Sequence, residues 1–134
     1  HCKVLYDMMK DFDRKVLFVY CGTDTETREN IRAITEKERS AIIVASYGTF
    51  STGINIRNLH NIVFSSPSKS RIRVLQSIGR GLRTSSTKNS TVVFDIADDL
   101  SHGHWTNFTY YHFQERINIY NEEEFNYQID KVKI

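Results

Sequence analysis

Four short runs constrain this chain more than anything else in it. KVLFVYC (15–21), AIIVAS (41–46), NIVFSS (61–66) and STVVFDI (90–96) are apolar nearly throughout and rich in β-formers. A strand with one face in water alternates polar and apolar, whereas a continuous apolar run predicts a strand buried on both faces. The segments between them have helical periodicity. CKVLYDMMKDF aligns Val4, Leu5, Met8, Met9 and Phe12 on one stripe. GTDTETRENIRAITEKERS (22–40) opens with Thr and Asp at a cap, has Glu26 in the first turn and sets Ile31 and Ile34 on one face. SRIRVLQSIGRGLR (70–83) predicts a helix turning Ile72, Leu75, Ile78, Gly79 and Leu82 inward. This alternation predicts an α/β fold, a parallel sheet flanked by helices.

At 134 residues, 40% hydrophobic and 25% charged, the chain suits one compact domain. No apolar run approaches the roughly 20 residues that span a bilayer, and HCKVLYDMMK lacks the apolar stretch of a signal peptide. Cys2 and Cys21 fit no metal-ligand spacing and read as reduced thiols of a cytoplasmic protein. The opening at His1, already helical, reads as part of a longer chain. After Asp99 the strand pattern ends. Residues 1–100 read as the α/β domain and 101–134 as a C-terminal helical extension, with Phe113, Ile117 and Tyr120, then Phe125, Ile129 and Val132, at helical spacing. Its aromatics (Trp105, Phe108, Tyr110, Tyr111, Phe113) are able to stack bases, although packing on the domain is the simpler expectation. His102 and His104 beside Asp98 and Asp99 read as a turn, so no metal site is expected.

The net charge is only +2, but its distribution is uneven. No Asp or Glu occurs between Glu38 and Asp95, while Arg39, Arg57, Lys69, Arg71, Arg73, Arg80, Arg83 and Lys88 all fall in that window. A one-signed segment of this kind points to an anionic partner, phosphate or nucleic acid. In α/β sheets ligands gather at the carboxyl ends of the strands. There SYGTFSTGIN (46–55) offers hydroxyls and close-approaching backbone N–H groups, SSPSKS (65–70) follows the third run, and the Gly-Arg of the later helix is expected farther along the same edge.

LQSIGRGLRTSS (75–86) sets Arg80 and Arg83 three apart, able to meet one anion together. Its QSIGRGLR resembles motif VI of the superfamily 2 helicases, Q-x-x-G-R-x-x-R. IIVASYGTFSTGIN (42–55) resembles their motif V, and YCGTDTETREN (20–30) the segment after motif IV, in the family's order. The wording of VASYGTFSTGI, RVLQSIGRGLR and EEEFNYQIDKVKI is similar to the branch of tailed-phage helicases that act in recombination and repair. The resemblance implies a C-terminal RecA-like domain sharing an ATP site with an N-terminal RecA-like domain elsewhere in the full-length chain. It implies Arg80, Arg83 and Gln76 as catalytic, Gly53 and Asn55 beside the nucleotide, and Ser46 and Thr49 on the nucleic-acid backbone. Lys69, Arg71 and Arg73 either line the nucleic-acid side or form a solvated helix face. ATP and Mg²⁺ are the implied cofactors and single-stranded or branched DNA the implied partner, with no membrane.

No G-x-x-x-x-G-K-[ST] phosphate loop and no DExx acidic motif are present; DIADDL (95–100) reads as structural. The strand expected before His1 is absent as well. The chain therefore reads as half of an ATP-dependent DNA helicase or branch-migrating translocase, inactive alone. An RNA helicase domain and a non-catalytic nucleic-acid-binding module of the same fold are the alternatives.

Overall fold

A computed structural model describes residues 1–53, 56–83 and 88–133. In chain order the elements are α1 (Cys2–Met9), β1 (Lys15–Val19), α2 (Thr25–Lys37), β2 (Ala41–Ala45), α3 (Tyr47–Gly53), β3 (Asn61–Phe64), α4 (Arg71–Gly81), β4 (Val92–Asp95) and α5 (Phe108–Glu122). All four apolar runs form strands. Asp24 caps α2, its carboxylate accepting from the Thr27 N–H at 2.8 Å. The segment after β2, for which the sequence pattern named no element, turns into α3.

β1 pairs with β2 from Lys15↔Ala41 to Val19↔Ala45, and β3 with β4 from Asn61↔Val92 to Phe64↔Asp95, both parallel. The described strands thus form two two-stranded sheets rather than one continuous sheet. The start of α1 touches the carboxyl ends of both: His1 Nε2 donates to the Ser65 carbonyl at 2.8 Å, and Cys2 Sγ to that of Ala45 at 3.8 Å. Two cores follow from the pairing. Val19, Ile31 and Ile56 are buried with Leu17 and Ile43 around the first sheet. Ile62, Phe64, Val74, Ile78, Ile119 and Tyr120 form the second, between β3–β4 and helices α4 and α5.

Burial on both faces does not hold for the second sheet. α4 and α5 both supply the core that includes Ile62 and Phe64, leaving Val63 at 53% and Phe94 at 52% exposure. Within α4 the inward face is Val74, Ser77, Ile78 and Gly81. Leu75 is half-buried, while Ile72, Gly79 and Leu82, expected inside, are exposed. Gly81 suits this rotation: a Cβ there would stand 2.7 Å from Thr91 Cγ2 and 2.8 Å from Ile62 Cδ1, so a larger residue would require those side chains to shift.

The extension is helical only to Glu122. Glu124 takes φ 54°, the Phe125 N–H donates to the Tyr120 carbonyl at 2.9 Å and the Glu124 N–H to that of Asn121 at 3.2 Å. This is a Schellman stop with Phe125 folded back on Tyr120, ring centroids 6.4 Å apart. The expected helical stripe through Phe125, Ile129 and Val132 therefore does not form.

Candidate nucleotide and nucleic-acid site

Arg80 lies in the last turn of α4, and α3 packs against that helix. The Arg80 guanidinium sits over the Phe50 ring at 5.9 Å from its centroid, a cation–π contact joining the two motif-bearing segments. Burial and then the nearby charge of Arg83 lower the Arg80 pKa from its ordinary value. Two like charges are thus held close together in a partly desolvated place, an arrangement that an anion relieves. Arg83 is not on the helix proper: α4 ends at Gly81, Leu82 is the C-cap, and Arg83 follows it. Gln76 is exposed on the outer face of α4. Gly53 closes α3, and Asn55 lies outside the described residues.

Ser46 and Thr49 secure the start of α3. Their hydroxyls are 2.8 Å apart, and the Thr49 N–H donates to Ser46 Oγ at 3.4 Å. Thr49 is only 3% exposed, so the fold itself engages this hydroxyl, whereas Ser46 stays half-buried at the end of β2. Tyr47 reaches the other way, donating to the Ser66 carbonyl at 3.2 Å and packing on Phe64. Burial pushes its hydroxyl pKa up to about 12.

The basic residues do not share one edge. A helix joining two parallel strands must run back antiparallel to them, so α4 begins near the carboxyl ends of β3 and β4 and finishes at their amino ends. Eleven residues at 1.5 Å each put about 15 Å between these ends. Lys69, Arg71 and Arg73 stand at the first end, and Arg80 and Arg83 at the second, beside Gly81 and Thr91. The expectation of a single edge is corrected by this geometry. Lys69 and Arg73 are exposed, with Lys69 Nζ 5.8 Å from the Tyr111 ring centroid. Arg71 differs: its guanidinium pairs with both Glu122 and Glu123 at the end of α5, so its charge is already matched within the chain.

Sequence reasoning missed Arg116 and the burial of Lys88. Arg116 is fully buried, donating to both carboxylate oxygens of Asp95 at 2.8 and 2.6 Å and to the Ser68 carbonyl at 3.0 Å. Tyr120 Oη adds a bond to Asp95 at 2.7 Å. Asp95 therefore serves structure, as expected for DIADDL. The available signal was an arginine beside the apolar stripe Phe113–Ile117–Tyr120, facing a strand that ends in Asp. Among the described residues no helix is long and apolar enough to cross a membrane, and no group of three potential metal ligands converges.

Comparison with known proteins gives a consistent picture. Residues 1–85 match the family described as the helicase conserved C-terminal domain. The chain is 38% identical over 145 aligned residues to the ATP-dependent DNA helicase uvsW of Enterobacteria phage T4, covering 100% of this chain and 29% of that one. The crystal structure of T4 UvsW superposes with a TM-score of 0.72 over 98% of this chain and 29% of that chain. The C-terminal part of the Fun30 ATPase domain, 18% identical, superposes with a TM-score of 0.61 over 91% of this chain and 44% of its own, a likeness of fold. The chain thus spans less than a third of the phage relative's length.

Proposed function

This chain belongs to the helicase conserved C-terminal domain family, and on that premise we propose that it is the half of an ATP-dependent DNA helicase that brings arginines to a shared ATP site. Its fold is that of the RecA-like helicase C-terminal domains. The observation that carries the reading is the pairing of Arg80 and Arg83 at the end of α4, with Arg80 partly desolvated against Phe50. In this role the two guanidiniums meet the γ-phosphate as its charge spreads in the transition state, an effect of about 10³–10⁵ in rate where an arginine finger has been removed or supplied. In the same reading Gln76 and Gly53 serve the nucleotide, as does Asn55, which lies outside the described residues. The cations fit a triphosphate. Mg²⁺, which neutralises the phosphates during transfer, would be held chiefly by acids of an N-terminal RecA-like domain in the full-length chain. Residues 1–100 form the RecA-like unit and 101–134 an extension clamped to it through Arg116 and Arg71.

Nucleic acid is assigned to the opposite end of α4, where Lys69 and Arg73 are exposed. Single-stranded or branched DNA is the proposed substrate, in recombination and repair. Thr49 and Arg71 act instead within the fold, Thr49 bonded to the Ser46 hydroxyl that caps α3 and Arg71 as a clamp on α5.

Residues 1–134 alone should bind single-stranded DNA weakly, with affinity falling as salt rises because phosphate contacts release counterions. Lys69→Ala with Arg73→Ala should reduce both the affinity and the salt slope, by about one unit of slope per cation removed. The same fragment should not turn over ATP. DNA-stimulated hydrolysis by it, or binding indifferent to salt and to both substitutions, would contradict the reading.

A further inference from the structure

We infer that Lys88 is a positioning residue for the α4 arginines: its ammonium holds the backbone carbonyls around Arg83 and so fixes where that guanidinium points. The last carbonyls of any helix lack donors from within the helix. At the end of α4, Lys88 Nζ donates to the Gly81 carbonyl and, at 3.2 Å, to the Arg83 carbonyl. Thr91 Oγ1 lies within hydrogen-bond reach of the same Gly81 oxygen and 3.0 Å from the Leu59 carbonyl, its single proton serving one at a time. Both donors come from the segment that enters β4, so the helix end is fastened to the sheet from the side.

Lys88 is only 6% exposed. Burying an ammonium is costly unless carbonyls receive it, and a cation at a helix C-terminus also meets the negative end of the dipole. A surface position would have served solubility. This one buries a third positive charge beside two arginines, and does so on the carbonyl of Arg83 itself. Because Arg83 lies past the C-cap, the helix does not dictate its direction. The grip on its own carbonyl holds the stretch of backbone from which its side chain starts. Gly81, with no room for a side chain against Thr91 and Ile62, lets the whole assembly close.

This inference rests on the arginines acting at the phosphates, and the test separates the two ideas. In the full-length protein, ATP turnover per folded molecule, KM for ATP, DNA affinity and Tm are measured for Lys88→Met, Lys88→Gln, Arg83→Ala and the double variant Lys88→Met/Arg83→Ala. Lys88→Met should lower kcat about tenfold, with KM and DNA affinity within twofold. Lys88→Gln, which keeps an N–H donor, should fall between it and the parent. The double variant should be no slower than Arg83→Ala within twofold, because Lys88 acts through Arg83. If Arg83→Ala keeps the parent kcat, the arginine reading itself fails. If Arg83→Ala is slow but Lys88→Met is not, or if their losses multiply in the double variant, the positioning role of Lys88 is wrong. It is equally contradicted if both Lys88 variants lose turnover only in proportion to lost folded protein.

Discussion

At the level of single residues, Arg116 and His112 show how one helix holds both a matched charge and a polar ring without a partner. Arg116 makes three hydrogen bonds at full burial. Burial alone would lower its pKa, but bonding and charge from Asp95 outweigh that and raise it. Arg116→Ala leaves Asp95 without its counter-charge and should cost about 3–5 kcal/mol, read by chemical denaturation; a loss under 1 kcal/mol would mean that Asp95 finds water instead. His112 is buried against Phe108, ring centroids 3.9 Å apart, and neither ring nitrogen has a hydrogen-bond partner among the described residues. Burial, then the charges of Lys69 and Arg116, lower its pKa against a smaller opposing effect of Glu115. The unfolded chain therefore takes up a proton near pH 6.5 that the folded state still refuses. The stability is complete above that pH and declines below it. His112→Phe should flatten the fall of Tm between pH 7 and pH 5, and an unchanged slope would show that other groups cause it.

At the scale of elements, the four strands and helices α1, α2 and α4 were legible because apolar runs, helical periodicity and Asp24 carry local signals. The helix end at Glu122 was not, since its stop uses Glu124 in a left-handed conformation where glycine is the usual choice. Glu124→Gly should accordingly raise stability by about 0.5–1 kcal/mol, measured as a higher Tm; destabilisation would show that the Glu124 side chain contributes contacts. The rotation of α4 was likewise hidden. Alternate apolar stripes through Ile72 and Val74 are both plausible on a helical wheel, and the buried one is distinguished by packing between segments distant in sequence, such as Gly81 against Ile62 and Thr91. Motif spacing put Arg80 and Arg83 close together, and the charge of Arg83 does act on Arg80, yet the spacing carried no information that Arg83 lies beyond the helix or that Lys88 holds its carbonyl.

For the whole molecule, the long axis of α4 separates two tasks. Exposed cations mark its first end and the arginine pair its last; on the proposed reading, a movement of this domain about nucleic acid at one end would shift the arginines at the other. The central claim is that those arginines stabilise charge developing during ATP cleavage. The most direct measurement is kcat and KM for ATP of the full-length Arg80→Ala protein, with DNA affinity and Tm measured alongside. Loss of an interaction made mainly in the transition state should lower kcat about 10³-fold with KM little changed, and Arg80→Lys should not restore it, because an ammonium does not reproduce the planar fork. DNA affinity should remain near that of the parent. A large fall in Tm with unchanged turnover per folded molecule would contradict the account and make Arg80 a packing residue over Phe50.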